Sequence, residues 1–323
     1  MAATTDTLNA EYRALTEACG LVDRSERGKL ALTGPDAKTF LQGQVTNDVE
    51  RLEPGHGCYA AFLTHKGKML GDMRILDVGD ELLLDTERVA LQGLFNMIRR
   101  YKLGSDVELH KRTLEMGLLS LIGPDARRVA AVGSLGRREH DNARSVIDGR
   151  HVLLVTTDAG VDVFCDAADT AAVAAALDAA GATPVSEGTA EIVRVERGRP
   201  RYGMELDEGV IPQEAGLNER AVSFTKGCYV GQETVARLHY RGKPNRHLRG
   251  LRLSEPAATG DVVRAGEKQV GRVATAVVSP SHGPIALALV RREAAPGDTV
   301  AVGESGVTAE VVELPFRPSA PAA

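Results

Sequence analysis

Residues 29–48, "KLALTGPDAKTFLQGQVTND", and residues 119–132, "LSLIGPDARRVAAV", share one pattern. In each stretch, apolar residues typical of a strand lead into Gly-Pro-Asp-Ala, and apolar residues at helical spacing follow. A proline at the first helical position with an acid beside it favours a helix start. We therefore predict two similar units of strand, sharp turn and helix, separated by roughly ninety residues. Chance recurrence of a common turn is the alternative interpretation.

The stretches around these units predict further hairpins and helices. "MRILDVGDELLLDTE" is typical of a hairpin at Gly79-Asp80, and "VALQGLFNMIRRYKL" of an amphipathic helix. "HVLLVTTDAGVDVFCD" predicts a second hairpin, and an alanine-rich helix ending at Gly181 follows it. The recurring order of strand, strand and helix predicts an α+β protein with helices layered on mainly antiparallel sheets. After about residue 245, short β-branched runs separated by glycines predict a small β-barrel.

Length and charge limit the classes of protein. A chain of 323 residues exceeds the size of most single cores, so we expect two or three domains. The formal net charge of -5 argues against a nucleic-acid partner and against an anionic membrane surface. The N-terminus has an early aspartate and lacks the apolar run of a signal peptide, and we find no apolar run of membrane-spanning length. We expect a cytoplasmic protein without membrane contact.

Four cysteines are widely separated in the sequence: Cys19, Cys58, Cys165 and Cys228. They form no Cys-x-x-Cys pair and no cluster with histidines at metal-ligand spacing, so we expect free thiols and no protein-bound metal. The signatures of P-loop nucleotide hydrolysis, dinucleotide binding, zinc proteolysis and serine hydrolysis are also missing from the sequence.

Cys228 lies in "FTKGCYVGQE", residues 224–233. A lysine ammonium at Lys226 would favour the thiolate, and the two glycines permit close approach of a ligand. Gln232 and Glu233 follow directly. The alternative is a small, buried cysteine that packs in a tight turn.

Two carboxylates are candidates for ligand binding or catalysis. Glu196, in "RVERGRPRYGMELDE", could bind a flat heterocycle by paired hydrogen bonds, with Arg194 and Arg197 holding it ionised. An exposed ion pair is the alternative. Asp72 follows "LTHKGKMLG" and could act as a general base, with Tyr59 and His65 in the same cleft. Turn chemistry alone would also explain an aspartate after this glycine.

A run of basic residues follows the cysteine segment. We call it the basic stripe: Arg237, Arg241, Lys243, Arg246, Arg249 and Arg252. No acidic residue interrupts it, although the whole chain is acidic. Such a stripe could receive a polyanion, an acidic partner or a ligand with several carboxylates. A solvated linker into the barrel is the alternative.

"KGCYVGQE" at 226–233 resembles the hallmark of the YgfZ family of folate-binding proteins, and three further stretches are similar to that family in the same order. They are "LALTGPDAKTFLQGQVTND", "GCYAAFLTHKGKMLGDMRILDV" and "RVERGRPRYGMELDE". The family is related to the aminomethyltransferase (T-protein) of glycine cleavage. The resemblance implies three domains: two intertwined α+β domains around a central folate channel and a C-terminal β-barrel.

We expect the following division of the chain. Residues 1–50 and 115–240 form a discontinuous folate-binding α+β domain, 51–114 an inserted α+β domain, 245–314 the barrel, and 315–323 a disordered tail.

The resemblance implies binding of tetrahydrofolate or a one-carbon derivative, including polyglutamylated forms. We also expect a monomer. The resemblance further implies an accessory role in assembly or repair of iron–sulfur enzymes, with iron–sulfur assembly factors or client proteins as partners. A tetrahydrofolate-dependent aminomethyltransferase or demethylase is the first alternative, and a non-catalytic scaffold is the second. In the accessory interpretation, Cys228 is a functional thiol beside the folate channel.

The resemblance also assigns residues. It implies that Glu196 grips the pterin ring and that Tyr59 and Asp72 line the folate site. The candidates for chemistry are Cys228, Lys226 and Asp72, while Gln232, Glu233 and Arg237 are further candidates for folate contacts. The basic stripe would receive a polyglutamate tail. T-protein-like enzymes carry an acidic pair where this chain has Gly71-Asp72, and this departure weighs against true aminomethyl transfer.

Overall fold

The computed structural model describes residues 5–317. The helices are α1 (Thr5–Glu17), α2 (Ala37–Gln42), α3 (Arg88–Tyr101), α4 (Ala126–Val129), α5 (Thr170–Ala179), α6 (Glu187–Glu196), α7 (Asn218–Ala221) and α8 (Gln232–Arg241). The strands of the first two-thirds are β1 (Gly20–Asp23), β2 (Gly28–Thr33), β3 (Gly57–Leu63), β4 (Met69–Asp77), β5 (Leu82–Thr86), β6 (Glu108–Lys111), β7 (Met116–Ile122), β8 (Asn142–Ile147), β9 (Arg150–Thr156), β10 (Gly160–Asp166) and β11 (Thr183–Pro184). The remaining strands are β12 (Arg246–Leu253), β13 (Val262–Ala265), β14 (Lys268–Ser279), β15 (Gly283–Arg291), β16 (Thr299–Val302) and β17 (Val307–Val312).

These strands form two open sheets and a barrel. The six-stranded sheet has the order β11-β1-β7-β10-β9-β8, and the five-stranded sheet has the order β3-β4-β5-β2-β6. The closed barrel has the order β12-β15-β14-β13-β16-β17. Within the two open sheets, all strand pairs are antiparallel except β1 with β11. These sheets, their helices and the barrel confirm the predicted α+β class with a C-terminal barrel.

Both Gly-Pro-Asp-Ala turns connect a strand to a short helix, as predicted. The first joins β2 to α2 in the five-stranded sheet, and the second joins β7 to α4 in the six-stranded sheet. Gly34 and Gly123 have φ of 103° and 127°, which favours glycine. A Cβ at Gly34 would lie 2.4 Å from a carbonyl oxygen, and one at Gly123 would lie 2.5 Å from another. The positive φ and the lack of space for a Cβ therefore explain why both units have a glycine at this position.

The chain crosses between the two sheets, so the α+β units are intertwined. β1 belongs to the six-stranded sheet, β2 to β6 belong to the five-stranded sheet, and β7 returns to the first. Residues 28–33 therefore pair with strands of the segment predicted as an insertion. The boundaries of the domains stay a prediction.

The two sheets pack face to face, with helices on their outer sides. Leu76 and Leu83 of one sheet contact Leu118, Val155 and Phe164 of the other. The outer face of the five-stranded sheet packs against α2 and α3, and that of the six-stranded sheet against α4 and α5. Residues of both sheets also line a cavity between them.

The barrel packs against α6 through one apolar cluster. Val195 of α6 contacts Leu248, Ile285 and Leu287 of the barrel, together with Phe316. Phe316 is buried and donates its backbone N–H to the carbonyl of Glu196 at 2.8 Å. Of the predicted tail 315–323, residues 318–323 lie outside the described residues.

Candidate functional site

A cavity lies between the two sheets, and charged side chains dominate its wall. Eight arginines line it: Arg24, Arg27, Arg74, Arg194, Arg197, Arg199, Arg201 and Arg220. Six acidic residues line it as well: Asp72, Asp85, Glu87, Glu139, Asp158 and Asp162. Because the arginines outnumber the acids, the cavity favours a ligand with negative charge. Tyr59, Tyr202 and Pro200 add flat apolar surface.

The structure brings two of the predicted site residues together in this cavity. Tyr59 lies on β3 and Asp72 on the neighbouring strand β4, and the Tyr59 hydroxyl donates a hydrogen bond to Asp72 Oδ2. Asp72 is only 6% exposed, and burial raises the pKa of its carboxyl to about 6, against the lowering effect of the Tyr59 hydrogen bond. A carboxylate that titrates near neutral pH is suited to proton transfer.

The neighbouring position 71 points away from the cavity. A Cβ built at Gly71 would lie 2.9 Å from Leu94 Cδ1, in the apolar core beneath α3. Successive side chains of a strand point to opposite faces, so Asp72 faces the cavity and position 71 does not. The absence of a second acid at Gly71 therefore removes nothing from the wall around Asp72, and the sequence argument against aminomethyl transfer loses its physical basis.

A buried ion-pair network supports the floor of the cavity. Asp85 is fully buried, and its Oδ2 accepts from Arg27 Nη2 at 3.0 Å and from Arg74 Nε at 2.7 Å. Arg74 also reaches Asp162 Oδ2 of the other sheet at 2.5 Å. Burial alone would raise the pKa of Asp85, but the two guanidinium groups hold it well below its ordinary value.

Sequence reasoning missed this network, although the sequence carries a signal for it. Asp85 interrupts the apolar strand "LLLDT", Arg74 interrupts "MLGDMRILD", and Asp162 interrupts "GVDVF". A charged residue inside a buried strand needs a partner. Its identity is not visible in the sequence, because the partner lies on another strand.

Glu196 lies outside the cavity lining. It ends α6 and accepts hydrogen bonds from Tyr12 of α1 at 2.9 Å and from Ser279 of the barrel at 2.5 Å. Arg194 binds Glu191 and Glu205 instead, and Arg197 donates to the carbonyl of Asp158. The expected ion pairing of Glu196 with these two arginines is therefore wrong. The carboxylate joins α1, α6 and the barrel.

Cys228 is exposed, so the alternative of a buried cysteine in a turn is wrong. Its segment is fixed at Gly231, where φ is 86° and an added Cβ would lie 2.6 Å from the carbonyl oxygen of Thr64. Cys228 does not line the cavity around Asp72. Its role as a functional thiol stays a prediction.

Lys226 turns inward, away from solvent. Its Nζ donates to the carbonyl oxygens of Gln42, Val45 and Asn47 at 2.5, 2.6 and 2.9 Å. Burial lowers the pKa of Lys226 to about 8. Burial also raises the pKa of the Cys58 thiol to about 12, while the charge of Lys226 opposes that shift. The contacts of Lys226 thus hold the loop after α2.

The remaining candidates lie on α8 and in the turn between β3 and β4. Gln232, Glu233 and Arg237 are on α8, with Glu233 and Arg237 exposed. His65 is exposed in the turn between β3 and β4. None of these four side chains lines the cavity around Asp72.

The basic stripe divides into two halves. Arg246 pairs with Glu214 at 2.8 Å, Arg249 pairs with Glu313 at 2.8 Å, and Arg252 donates to the carbonyl of Arg317. The other half is exposed and forms no ion pair within residues 5–317: Arg237, Arg241 and Lys243. The second half is therefore the more accessible of the two to a polyanion.

Within residues 5–317, no group of three or more His, Cys, Asp or Glu side chains is arranged to hold a metal ion. No helix in the same range combines the length and the hydropathy that a membrane span needs.

The chain is similar to known proteins over most of its length. Residues 2–226 match the GCVT N-terminal domain, and residues 246–317 match the glycine cleavage T-protein C-terminal barrel domain. An aminomethyltransferase of Rubrobacter xylanophilus is 32% identical over 322 residues, covering 96% of this chain and 86% of that protein. A putative chloroplastic transferase of Arabidopsis thaliana is 30% identical, covering 91% of this chain and 71% of that protein.

A solved structure shows the same fold. The crystal structure of glycine cleavage system aminomethyltransferase T from Bartonella henselae superposes with a TM-score of 0.86, over 96% of this chain and 89% of that one. The identity is 22%, so this likeness concerns the fold alone.

Proposed function

We propose, from the premise that this chain belongs to the glycine cleavage T-protein family, that the cavity between its two sheets binds tetrahydrofolate or a one-carbon derivative. The observation that carries the proposal is the buried Asp72–Tyr59 pair in a wall rich in arginines. A reduced folate has a flat heterocycle at one end and carboxylates at the other. Aromatic rings and a carboxylate suit the heterocycle, and guanidinium groups suit the carboxylates.

The chemistry that this site supports best is one-carbon transfer of the aminomethyltransferase type. Bound tetrahydrofolate would supply the acceptor for the one-carbon unit. Asp72 would act as the base or as an electrostatic stabiliser, since its carboxyl titrates near neutral pH. The Tyr59 hydroxyl holds the Asp72 carboxyl in one orientation. The relative from Rubrobacter xylanophilus, which is named aminomethyltransferase, supports this proposal.

Filling the cavity tests folate binding directly. Ala159 lines the cavity in the turn before β10, so Ala159→Trp should remove tetrahydrofolate binding by steric occlusion. Ala274→Trp, at a half-buried position in barrel strand β14, is the matched control and should bind as the wild type does. Isothermal titration with tetrahydrofolate measures both. Equal affinity of the two variants, or no binding by the wild type, would contradict the proposal.

Asp72→Asn separates binding from chemistry. The amide keeps the size of the side chain and can still accept the Tyr59 hydrogen bond. We expect folate affinity within a few-fold of wild type and loss of about a hundredfold or more in aminomethyl transfer, the range typical of a removed general base. A variant that turns over as fast as the wild type would rule out this role of Asp72.

A second candidate function is an accessory role in iron–sulfur enzyme assembly or repair, as in the YgfZ group. The exposure of Cys228, in the segment "KGCYVGQE", favours it, because a solvent-accessible thiol can meet a protein partner. In cells that lack the chromosomal copy, Cys228→Ala should then fail to restore iron–sulfur enzyme activity while Asp72→Asn restores it. The opposite result would favour transfer chemistry. Full restoration by both variants would favour a non-catalytic scaffold.

For polyglutamylated folate, the proposed contacts are the exposed half of the basic stripe, Arg237, Arg241 and Lys243. Charge-assisted contacts of these side chains with the extra carboxylates would be sensitive to salt.

A further inference from the structure

His140 has an unusual backbone conformation at the wall of the cavity. Its φ is 72°, in the left-handed region that non-glycine residues rarely adopt. Its backbone N–H donates to the carbonyl of Thr156 at 2.8 Å, which fixes the segment before β8. Gly57 leaves the space that this conformation needs, because an added Cβ there would lie 3.0 Å from His140 Cβ. Residues held in such conformations concentrate at functional sites.

The His140 imidazole has one buried nitrogen without a partner. The residue lines the cavity and is 6% exposed, and Nδ1 has no hydrogen-bond partner within residues 5–317. The other nitrogen, Nε2, lies 3.8 Å from Glu139 Oε1. We assign the ring proton to Nε2, since it faces this carboxylate, and Nδ1 is then an acceptor. Burial lowers the pKa of His140 to about 4, so the ring is neutral at physiological pH.

Arg220 also lines the cavity and has a second buried atom without a partner among residues 5–317. Its Nη2 donates to Glu139 Oε1, and its guanidinium lies over the Tyr59 ring, 5.3 Å from the centroid. Its Nε is buried and has no acceptor in the described part of the chain. Contacts therefore run without interruption from Asp72 through Tyr59, Arg220 and Glu139 to His140.

We propose that His140 and Arg220 form a contact point for one amide or lactam edge of the ligand. The N–H of that edge donates to His140 Nδ1, and its carbonyl oxygen accepts from Arg220 Nε. Buried polar groups are nearly always paired, and an edge with one donor and one acceptor satisfies both atoms at once. The inference rests on the proposed function and deepens it. In a reduced folate the pterin lactam is such an edge, because its ring holds N–H and C=O on the same side, whereas the benzamide linkage is a trans amide whose N–H and C=O point in opposite directions.

The variants are chosen so that the fold is preserved. His140→Gly removes the ring and also relieves the left-handed conformation. His140→Asn tolerates that conformation and keeps a polar acceptor near the same place. Arg220→Lys keeps a positive charge beside Glu139 and Tyr59 but has no Nε–H in the same position. Thermal unfolding should show that all three variants are folded.

The binding experiment uses tetrahydrofolate, 6-methyltetrahydropterin, which has only the lactam, and p-aminobenzoylglutamate, which has only the benzamide. We expect His140→Gly and Arg220→Lys each to weaken tetrahydrofolate binding by about tenfold, with a smaller loss for His140→Asn. The fold-loss of affinity in the double variant should be smaller than the product of the two single fold-losses, because both atoms bind the same edge. The fragment that carries the recognised edge should show the same losses, and the other fragment should not.

An independent readout is the long-range ¹H–¹⁵N spectrum of the wild-type histidine side chains. Addition of the recognised fragment should shift the His140 Nδ1 resonance, which a purely structural role would not do. Wild-type affinity in His140→Gly and Arg220→Lys, or an unmoved Nδ1 resonance with fragment bound, would overturn the inference and leave folate binding intact. Absence of tetrahydrofolate binding by the wild type would overturn both.

Discussion

The cavity and the outer segment, residues 224–243, differ in the burial of their charged side chains. In the cavity, Asp85 is fully buried between the guanidinium groups of Arg27 and Arg74. In the outer segment, Arg237 and Arg241 extend into solvent. Loss of one buried partner leaves an uncompensated charge, whereas loss of an exposed charge changes little. Charge in the cavity therefore contributes to the stability of the fold, whereas charge in the outer segment contributes little to it.

The largest expected effect is that of Asp85→Asn. This change leaves two buried guanidinium groups short of one carboxylate and should lower the free energy of unfolding by about 3–5 kcal/mol. Urea denaturation at pH 7 measures it. Because the pKa of Asp85 is lowered in the folded protein, its stabilisation is present above the ordinary pKa and is lost on acidification. The difference between wild type and variant should therefore shrink below about pH 4.

Glu313→Gln is the control for this prediction. Glu313 pairs with Arg249 at 2.8 Å, but its side chain is 67% exposed. Solvent screens such a pair, so the variant should lose no more than about 1 kcal/mol. Equal losses in the two variants would contradict the contrast between buried and exposed charge.

The predictable parts of the fold are those that a few consecutive residues specify. The Gly-Pro-Asp-Ala turns, the hairpin at Gly79-Asp80 and the glycine-separated strands of the barrel each specify a structure within a few residues. The pairing of Arg74 with Asp162 was not predictable, because it joins strands of two different sheets. Hydrophobic periodicity indicates that a strand is buried, but not which other strand faces it.

Lys226 illustrates how proximity in sequence misleads at the site. It lies two residues from Cys228, yet its ammonium binds carbonyl groups near residue 45. In a loop, side-chain direction is set by the nearest acceptors in space rather than by neighbours in the chain. For Asp72 and Tyr59, which the sequence alone offered as candidates for one cleft, the resemblance added a three-dimensional relation that single-sequence patterns lack.

A smaller effect, of opposite sign, is expected for the stability of Asp72→Asn. Burial raises the pKa of Asp72 from an ordinary value of 3.8 to about 6. The folded protein therefore binds this proton more tightly than the unfolded protein does. The free energy of unfolding then falls as the pH rises through about 4 to 6. The amide carries no charge, so the variant should be more stable than wild type by about 1–3 kcal/mol at pH 8.

Urea denaturation at several pH values checks this expectation. The two proteins should have equal stability below about pH 4, where the carboxyl is neutral in both states. A wild type that is more stable than Asp72→Asn at pH 8 would mean that the carboxylate stabilises the fold. Asp72 would then not be a catalytic group that is kept at a cost in stability.

The exposed half of the basic stripe should have a smaller effect, on affinity alone. Changing Arg237, Arg241 and Lys243 to Gln should weaken binding of tetrahydrofolate triglutamate several-fold at low salt and leave the monoglutamate unaffected. The loss should disappear near about 0.5 M salt, where exposed charges are screened. Arg88, Arg99 and Arg100, exposed on α3, provide a control with the same change in charge. A triglutamate affinity that both triple variants reduce equally would exclude a specific role for the stripe.

The smallest expected effect on stability is that of Cys228→Ala, which should change the free energy of unfolding by less than about 0.5 kcal/mol because the side chain is exposed. Iodoacetamide labelling of the native protein should modify Cys228, while burial raises the pKa of Cys19 to about 11 and that of Cys58 to about 12 and slows their reaction. Mass spectrometry identifies the labelled cysteine. The decisive experiment repeats the iodoacetamide labelling in the presence of saturating tetrahydrofolate. An unchanged rate keeps the thiol apart from the cavity, whereas strong protection would place Cys228 at the folate and join the two regions into one site.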